Sequence, residues 1–318
     1  MTGHHSVVEG GNAFITRNRA GEPAAIVGIN SPLLTLLKLM ETRFFEDSEE
    51  ELNRRLERWK ETHENPSPRG FQMATNWRKY TFWKGNPEVQ RLDFLATCRN
   101  QYQLSREDRA ALLPIPFLDR ELLELSILLQ KKGFCRNQFL RTLSLEADPR
   151  DRTNSLREEA FAFDVQLEWC KELIADDLGI SVERVAWMLQ EDDYHVDLFL
   201  FTDHRGNVFL HRSPGKEASL RQNELELRSK GFHPIPLMGR FLNGKSPLAN
   251  FMNGLIIPRR GEKPLYLTNE TSPELRHLQT QFAESVGPYV EVHFIAGDLL
   301  ETLLTEDGGG FHCLTREF

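Results

Sequence analysis

The order strand, strand, helix, strand recurs through the second half of this chain, and it limits the fold more than any single residue does. "VERVAWML", "HVDLFLFTD" and "GNVFLH" are three strand-like runs of β-branched and aromatic residues, the last two joined by the tight turn "DHRGN". "NFMNGLIIP" and "KPLYLTN" then read as a strand pair. "SPELRHLQTQFAESVG" follows as a helix, "YVEVHFIA" as a strand, "DLLETLLTE" as a short helix and "GFHCLT" as a last strand. Such recurrence predicts an α/β assembly of similar modules and leaves open whether they join in one sheet or a ring.

The N-terminal part has a different texture. "NAFITRNRAGEPAAIVGI" predicts a hairpin around "RNRAGEP", because apolar and β-branched runs flank Gly and Pro. From Ser31 the pattern turns helical, with Ser31 as N-cap and Pro32 at the first helical position. "DSEEELNRRLERWKETH" puts acids first and bases later, as the helix dipole favours, and reads as a solvated helix face. A possible short strand lies in "RKYTFWKG", and helical tendency returns in "LDRELLELSILLQKKG". After the loop "ADPRDRTNS" a long helix runs from a Ser155 cap to a stop at Gly179. Residues 31–170 are therefore expected to be a helical insertion within a single α/β domain.

With 318 residues, 40% hydrophobic and 27% charged, the chain can bury a substantial core. No apolar run approaches the roughly 18 to 20 residues of a membrane helix. The start "MTGHHSVVEGG" lacks the basic and apolar parts of a signal peptide, so a cytoplasmic protein is expected, with no membrane partner. Cys98, Cys135, Cys170 and Cys313 show no metal-like or CxxC spacing and are expected as reduced thiols. A formal charge of -8, from 39 basic and 47 acidic residues, argues against nucleic acid as the main ligand. The aromatic pairs at 44–45 and 82–83 read as core, with no stacking pattern for RNA.

Two places carry chemistry. On a strand, "YHVDLFLF" sets His195 and Asp197 on one face, so a histidine and a carboxylate stand side by side. That pair suits a general acid/base beside an anion that binds a cation, or else the polar end of a strand. In "EDGGGFHCLTREF", three glycines before Cys313 let a ligand approach the main chain. Cys313 is a buried structural thiol or, near a histidine, an ionisable nucleophile. A cysteine and a histidine far apart in sequence, each in an unusual setting, form the pattern of a thiol enzyme assembled by its fold. His195, Asp197, His204 and His211 could supply a metal set, but His204 falls in a predicted turn and His211 at the far end of a strand, so no metal is expected.

At these residues the sequence resembles the guanidino-group modifying superfamily, which includes peptidylarginine, agmatine and arginine deiminases, dimethylargininases and glycine amidinotransferase. "YHVDLFLF" resembles the family's His-x-Asp strand, and "GGGFHCLT" its C-terminal nucleophile loop, the "GGGFHC" string being closest to amidinotransferases. "NFMNGLII" resembles the N-x-x-N strand of peptidylarginine deiminases at Asn250 and Asn253, and "EGGNAFIT" an early EGG or GGN strand. The likeness covers residues from about 170 to the end and 1–30.

The resemblance implies a propeller of five ββαβ modules with the site at its centre, here with an N-terminally incomplete first part and a helical insertion. It implies Cys313, His195 and Asp197 as catalytic residues, and Glu9, Asn12 and Asn253 as substrate-binding ones. The implied substrate is an arginine-type small molecule or a protein-bound arginine, with no cofactor. Hydrolysis by a deiminase, amidine transfer, or binding without catalysis on the same scaffold all remain open. The last is motivated by a departure: members carry a guanidinium-binding Asp upstream of the EGG-like strand, and none of the residues before Glu9 is acidic. Glu9 itself, Asp192 or Asp193 could substitute.

Overall fold

The computed structural model describes residues 6–8, 10–84, 154–190, 195–212, 217–239, 242–243 and 249–296. Strands β1 (Ala13–Arg17) and β2 (Pro23–Gly28) are followed by helices α1 (Asn30–Glu41), α2 (Phe44–Asp47), α3 (Glu49–Thr62), α4 (Pro68–Lys84) and α5 (Asn154–Asp177). Then come β3 (Val185–Met188), β4 (Leu200–Thr202), β5 (Asn207–His211), α6 (Glu217–Ser229) and β6 (His233–Leu237). The short strands β7 (Leu242–Asn243) and β8 (Ala249–Asn250) precede β9 (Leu255–Ile257), β10 (Leu265–Asn269), α7 (Arg276–Val286) and β11 (Glu291–Ile295). Two compact units result, residues 1–31 with 172–318, and residues 32–171.

Among the described residues of the first unit the same small sheet is built three times. β1 pairs antiparallel with β2, and β2 parallel with β3. β4, β5 and β6 repeat that order, as do β9, β10 and β11. Each parallel pair needs a crossover, which a helix supplies. Thus α6 lies between β5 and β6, α7 between β10 and β11, and the end of α5 precedes β3. The hairpins close as their sequences require: Asn18 Oδ1 accepts from the main-chain N–H groups of Ala20 and Glu22, with Gly21 at φ 79°. His204 and Gly206 both take positive φ in the β4–β5 turn.

Packing joins the modules through strands buried on both faces. Leu200, Val208 and Leu210 pack with Phe14, Ala24, Ile26, Ala186 and Met188 of the first sheet. On the opposite face, Phe201 and Phe209 pack with Tyr266 of the third sheet, Phe251 before it and Phe282 and Val286 of α7. The rings of Phe201 and Tyr266 stack at 4.2 Å. This double burial explains why "LFLF" and "NVFL" read as unbroken apolar runs. The outer face of the first sheet, Ala25, Val27 and Val185, is covered by Ile174, Ala175 and Ile180 at and after the end of α5.

An edge strand needs partners for its exposed main chain. Asn223 on α6 supplies them for β3, its Oδ1 accepting from Leu189 N (2.8 Å) and its Nδ2 donating to Leu189 O (3.1 Å). Glu226 Oε1 accepts from Trp187 N at 3.2 Å.

The described residues of the second unit, 32–84 and 154–171, are largely helical. Asp164 of α5 accepts from Ser67 Oγ (2.5 Å) and Ser67 N (2.7 Å), and Ser67 Oγ in turn accepts from Gly70 N (2.9 Å), capping α4. Trp169 meets Phe44 and Phe45 edge-on, and the Arg55 guanidinium lies 4.5 Å from its ring. Cys170 is fully buried, and burial pushes its thiol up to about 12. Such a thiol stays protonated and unreactive near neutral pH.

Several expectations are corrected. "RKYTFWKG" lies in α4 up to Lys84, not in a strand. Ser31 lies inside α1, which starts at Asn30, and its hydroxyl accepts from Asn12. Ser155 is the second residue of α5, with its hydroxyl on Glu159 and Arg78. The helix expected at 118–133 and the final strand "GFHCLT" lie outside the described residues.

Replacing Asn223 with Ala removes both of its bonds to Leu189 and leaves an edge N–H and C=O to find other partners. The expected loss is about 1–3 kcal/mol of stability, read as a lower urea midpoint at unchanged slope. A midpoint within error of the parent would refute the strand-edge role.

Candidate functional site

The sequence pattern predicts His195 and Asp197 on a strand, side by side through the two-residue repeat. The structure brings them together differently. Val196–Leu198 is a turn of 3-10 helix, closed by Phe199 N donating to Val196 O at 3.1 Å, and β4 begins only at Leu200. Val196 turns into the core with Phe199, which breaks the strand alternation. His195 and Asp197 converge instead on the main chain of Gly11. A methyl group there would lie 2.5 Å from His195 Nδ1 and 2.7 Å from Asp197 Oδ2. Only a glycine admits both side chains so close to the backbone. Asp197 is fully buried, whereas His195 is partly exposed.

Asn12, the next residue, holds this loop from beneath. Its Nδ2 donates to Ser31 Oγ and its Oδ1 accepts from Gln190 Nε2, both at 2.8 Å. Gln190 Oε1 accepts from Asn30 N at 3.1 Å, so one amide pair ties the start of β1 to the ends of β2 and β3. Gly28 leaves the space for it, since a Cβ there would overlap both amide oxygens. Asn12 is buried, with a donor and an acceptor position engaged inside the protein.

Asn250 and Asn253 were expected on one strand. Their run is broken: β8 ends at Asn250, β9 starts at Leu255, and the segment between is held by side chains of β10. Tyr266 donates its hydroxyl to Phe251 O (2.8 Å) and Met252 O (2.7 Å). Thr268 Oγ1 donates to Phe251 O at 3.1 Å, and Asn269 Nδ2 to Asn250 O at 3.0 Å. Asn253 N donates to Asn250 Oδ1 at 3.3 Å, and Asn253 is fully buried. A Cβ on Gly254 would meet the Tyr266 hydroxyl and Leu267 O at 2.6 Å each. Burial pushes the Tyr266 phenol well up, and the negative charge of Asp197 raises it further. The hydroxyl therefore remains a donor, and Asp197 lies within electrostatic reach of the Asn250–Asn253 clamp.

Three modules thus bring polar residues to the entry of their first strands: Gly11 and Asn12 before β1, His195 and Asp197 before β4, Asn253 before β9. A partly exposed imidazole beside a buried carboxylate can move a proton and hold a cation. Cys313 and Glu9 lie outside the described residues. His204 sits in the β4–β5 turn, and His211 Nε2 pairs with Gly239 O at 3.0 Å. Among the described residues, no three His, Cys, Asp or Glu side chains gather as metal ligands would. Sequence reasoning missed Gly11, Gln190, Tyr266 and Asn269 as parts of this region. Gly11 had a signal in the doubled glycine before Asn12, while the other three are single residues whose partners are distant in sequence.

No family model matches the chain, and no curated protein matches it significantly. Among solved structures it is similar to C. jejuni agmatine deiminase, at 12% identity and a TM-score of 0.31, over 46% of this chain and 45% of that one. A substrate-bound variant of that enzyme matches at 11% identity and a TM-score of 0.31, over 46% and 44%. A Porphyromonas gingivalis protein assigned as an arginine deiminase matches at 19% identity and a TM-score of 0.30, over 54% and 50%. The chain spans about half the length of each. Likenesses of this size fix neither substrate nor mechanism.

Gly11→Ala forces His195 and Asp197 to shift, and the expected cost is about 1–3 kcal/mol, together with a moved His195 imidazole signal in NMR. Parent-like stability with an unmoved imidazole would contradict the close approach.

Tyr266→Phe strips the clamp of its shared donor, for an expected loss of about 1–3 kcal/mol at pH 7. The native phenol keeps its proton above pH 10, where the unfolded one ionises, so the unfolded state binds fewer protons and stability falls as pH rises. Denaturant titrations at pH 8 and pH 10.5 should show a shallower alkaline decline in the variant. Equal declines would count against the buried, protonated hydroxyl.

Proposed function

We propose that this chain is a deiminase-type hydrolase acting on the guanidinium group of arginine or an arginine derivative, with Cys313 as nucleophile. The observation that carries the proposal is the pairing of His195 with buried Asp197 over the Gly11 main chain. A desolvated carboxylate attracts a planar cation strongly and can hold it by paired, charge-assisted hydrogen bonds.

In this reading Asp197 binds the guanidinium N–H groups and turns the central carbon toward the Cys313 sulfur. The thiolate adds to that carbon, and His195 gives a proton to one amino group of the tetrahedral adduct, which leaves as ammonia. A thiouronium remains on Cys313. Water, losing a proton to His195, adds to it, and the C–S bond breaks to give the ureido product and the free thiolate. The glycines before Cys313 leave the approach open. Asn12 and Asn253 position the loops on either side, and Glu9 is a candidate for the second carboxylate that such a cation would use.

The three ββαβ units form part of a propeller-like catalytic body, with the helical unit of residues 32–171 as an insertion into its first module. No cofactor, nucleic acid or membrane enters this chemistry, and no described helix is long and apolar enough to span a membrane. The cytoplasm, where thiols stay reduced, suits Cys313.

The test is a product assay on the full chain with arginine, agmatine and an arginine-containing peptide. Ammonia and a ureido product are expected from at least one of them, and Cys313→Ala should abolish both. With glycine added, an amidine-transfer product in place of ammonia would convert the reading to an amidinotransferase. No product from any of them would overturn it in favour of a binding role.

A further inference from the structure

We propose that Asn269 is a specificity residue of this site, its amide oxygen accepting a hydrogen bond from an N–H of the bound guanidinium; the inference rests on the function proposed above.

Asn269 closes β10 and is 1% exposed. Its Nδ2 donates to Asn250 O at 3.0 Å, which fixes the orientation of the amide, because the flipped form would set oxygen against oxygen. The Oδ1 atom is then buried without a hydrogen-bond partner among the described residues. An acceptor left so is costly, and natural structures rarely keep one without a use. Three neighbouring groups on the same clamp, Tyr266 Oη, Thr268 Oγ1 and Asn269 Nδ2, all find carbonyl partners, so the lone oxygen is not the product of loose local packing.

Its place in the fold joins it to the site. β9 and β10 pair antiparallel with Leu255 opposite Leu267. Past that pair the link is made by side chains: Asn269 donates to Asn250 O, and Asn250 Oδ1 accepts from Asn253 N, so Asn269 stands against the segment that precedes β9, as Gly11 and Asn12 precede β1 and Asp197 precedes β4. Tyr266 of the same strand feels the Asp197 charge. The ligand class follows from the two acceptors. A carboxylate attracts the cation, while a neutral amide oxygen adds direction without further charge, which fits a planar group bearing several N–H donors. An oxygen waiting for an N–H also rejects a methyl group in that place, because the substituted ligand both crowds the amide and leaves the acceptor unfilled.

The experiment measures binding by calorimetry in the Cys313→Ala protein, which prevents turnover, using arginine and its symmetrically dimethylated analogue, in which each terminal nitrogen has lost one N–H. Arginine is expected to bind at least about tenfold more tightly than the analogue. Adding Asn269→Ala should weaken arginine by about tenfold while changing the analogue little, so that the gap closes. Equal weakening of both ligands, or an unchanged gap, would overturn the role of Asn269 and leave the proposed function standing. If neither compound binds the Cys313→Ala protein, the function and this inference fall together. Should Asn269→Ala fail to fold, the two affinities of the Cys313→Ala protein still decide, since absence of discrimination by itself refutes an acceptor at this position.

Discussion

The β4–β5 hairpin has no solvent face, and much of the first unit is arranged around that fact. Leu200, Val208 and Leu210 belong to one core and Phe201 and Phe209 to another, so the hairpin is the shared wall between two sheets. Each of these side chains contributes about 1.5–3 kcal/mol by leaving water. Neither neighbouring sheet can move without unpacking one face of the wall. The turn that carries His195 and Asp197 leads directly into β4, and Val196 and Phe199 anchor it in the first core. The site therefore inherits rigidity from this packing.

Electrostatics then follow from geometry. Asp197 is buried beside the main chain of Gly11, and its charge reaches the Tyr266 phenol. The charge makes the phenol harder to ionise, and a phenol that keeps its proton keeps two carbonyls of the Asn250–Asn253 segment in place. Position of the loop and charge of the carboxylate thus support each other.

Much of this was legible in the sequence, for reasons that differ between elements. The strands β5, β10 and β11 follow from local composition, as do the first hairpin and the long helix stopped at Gly179. Those signals act within a few residues. The run from His195 to Leu198 misled because its residues fit a strand pattern equally well, and only the pull of Val196 into a core supplied by β1, β2 and β3 turns it into a 3-10 helix. "RKYTFWKG" misled likewise, its β-favouring aromatics sitting in a helix whose start is capped by Ser67 with a partner some hundred residues away, Asp164. His195 and Asp197 both lie against Gly11, through the 3-10 turn and not through strand alternation. Gly11 was quoted within a motif, yet its contact with both side chains is a property of the fold that no local pattern encodes.

The first module shows how such a fold accepts a large excursion. Its strands β2 and β3 are separated by the whole helical unit, yet they pair in parallel register with Ala25 opposite Val185. The entropy of closing a loop grows only with the logarithm of its length, each doubling costing about 0.6 kcal/mol. What the module needs is that the chain return with a helix end in the right place, and Ile174 and Ala175 provide it by covering Ala25, Val27 and Val185. The last turns of α5 hence do for the first sheet what α6 and α7 do for the others. An insertion placed before the crossover helix, and not within the hairpin, leaves untouched the loop of Gly11 and Asn12 on which His195 and Asp197 depend.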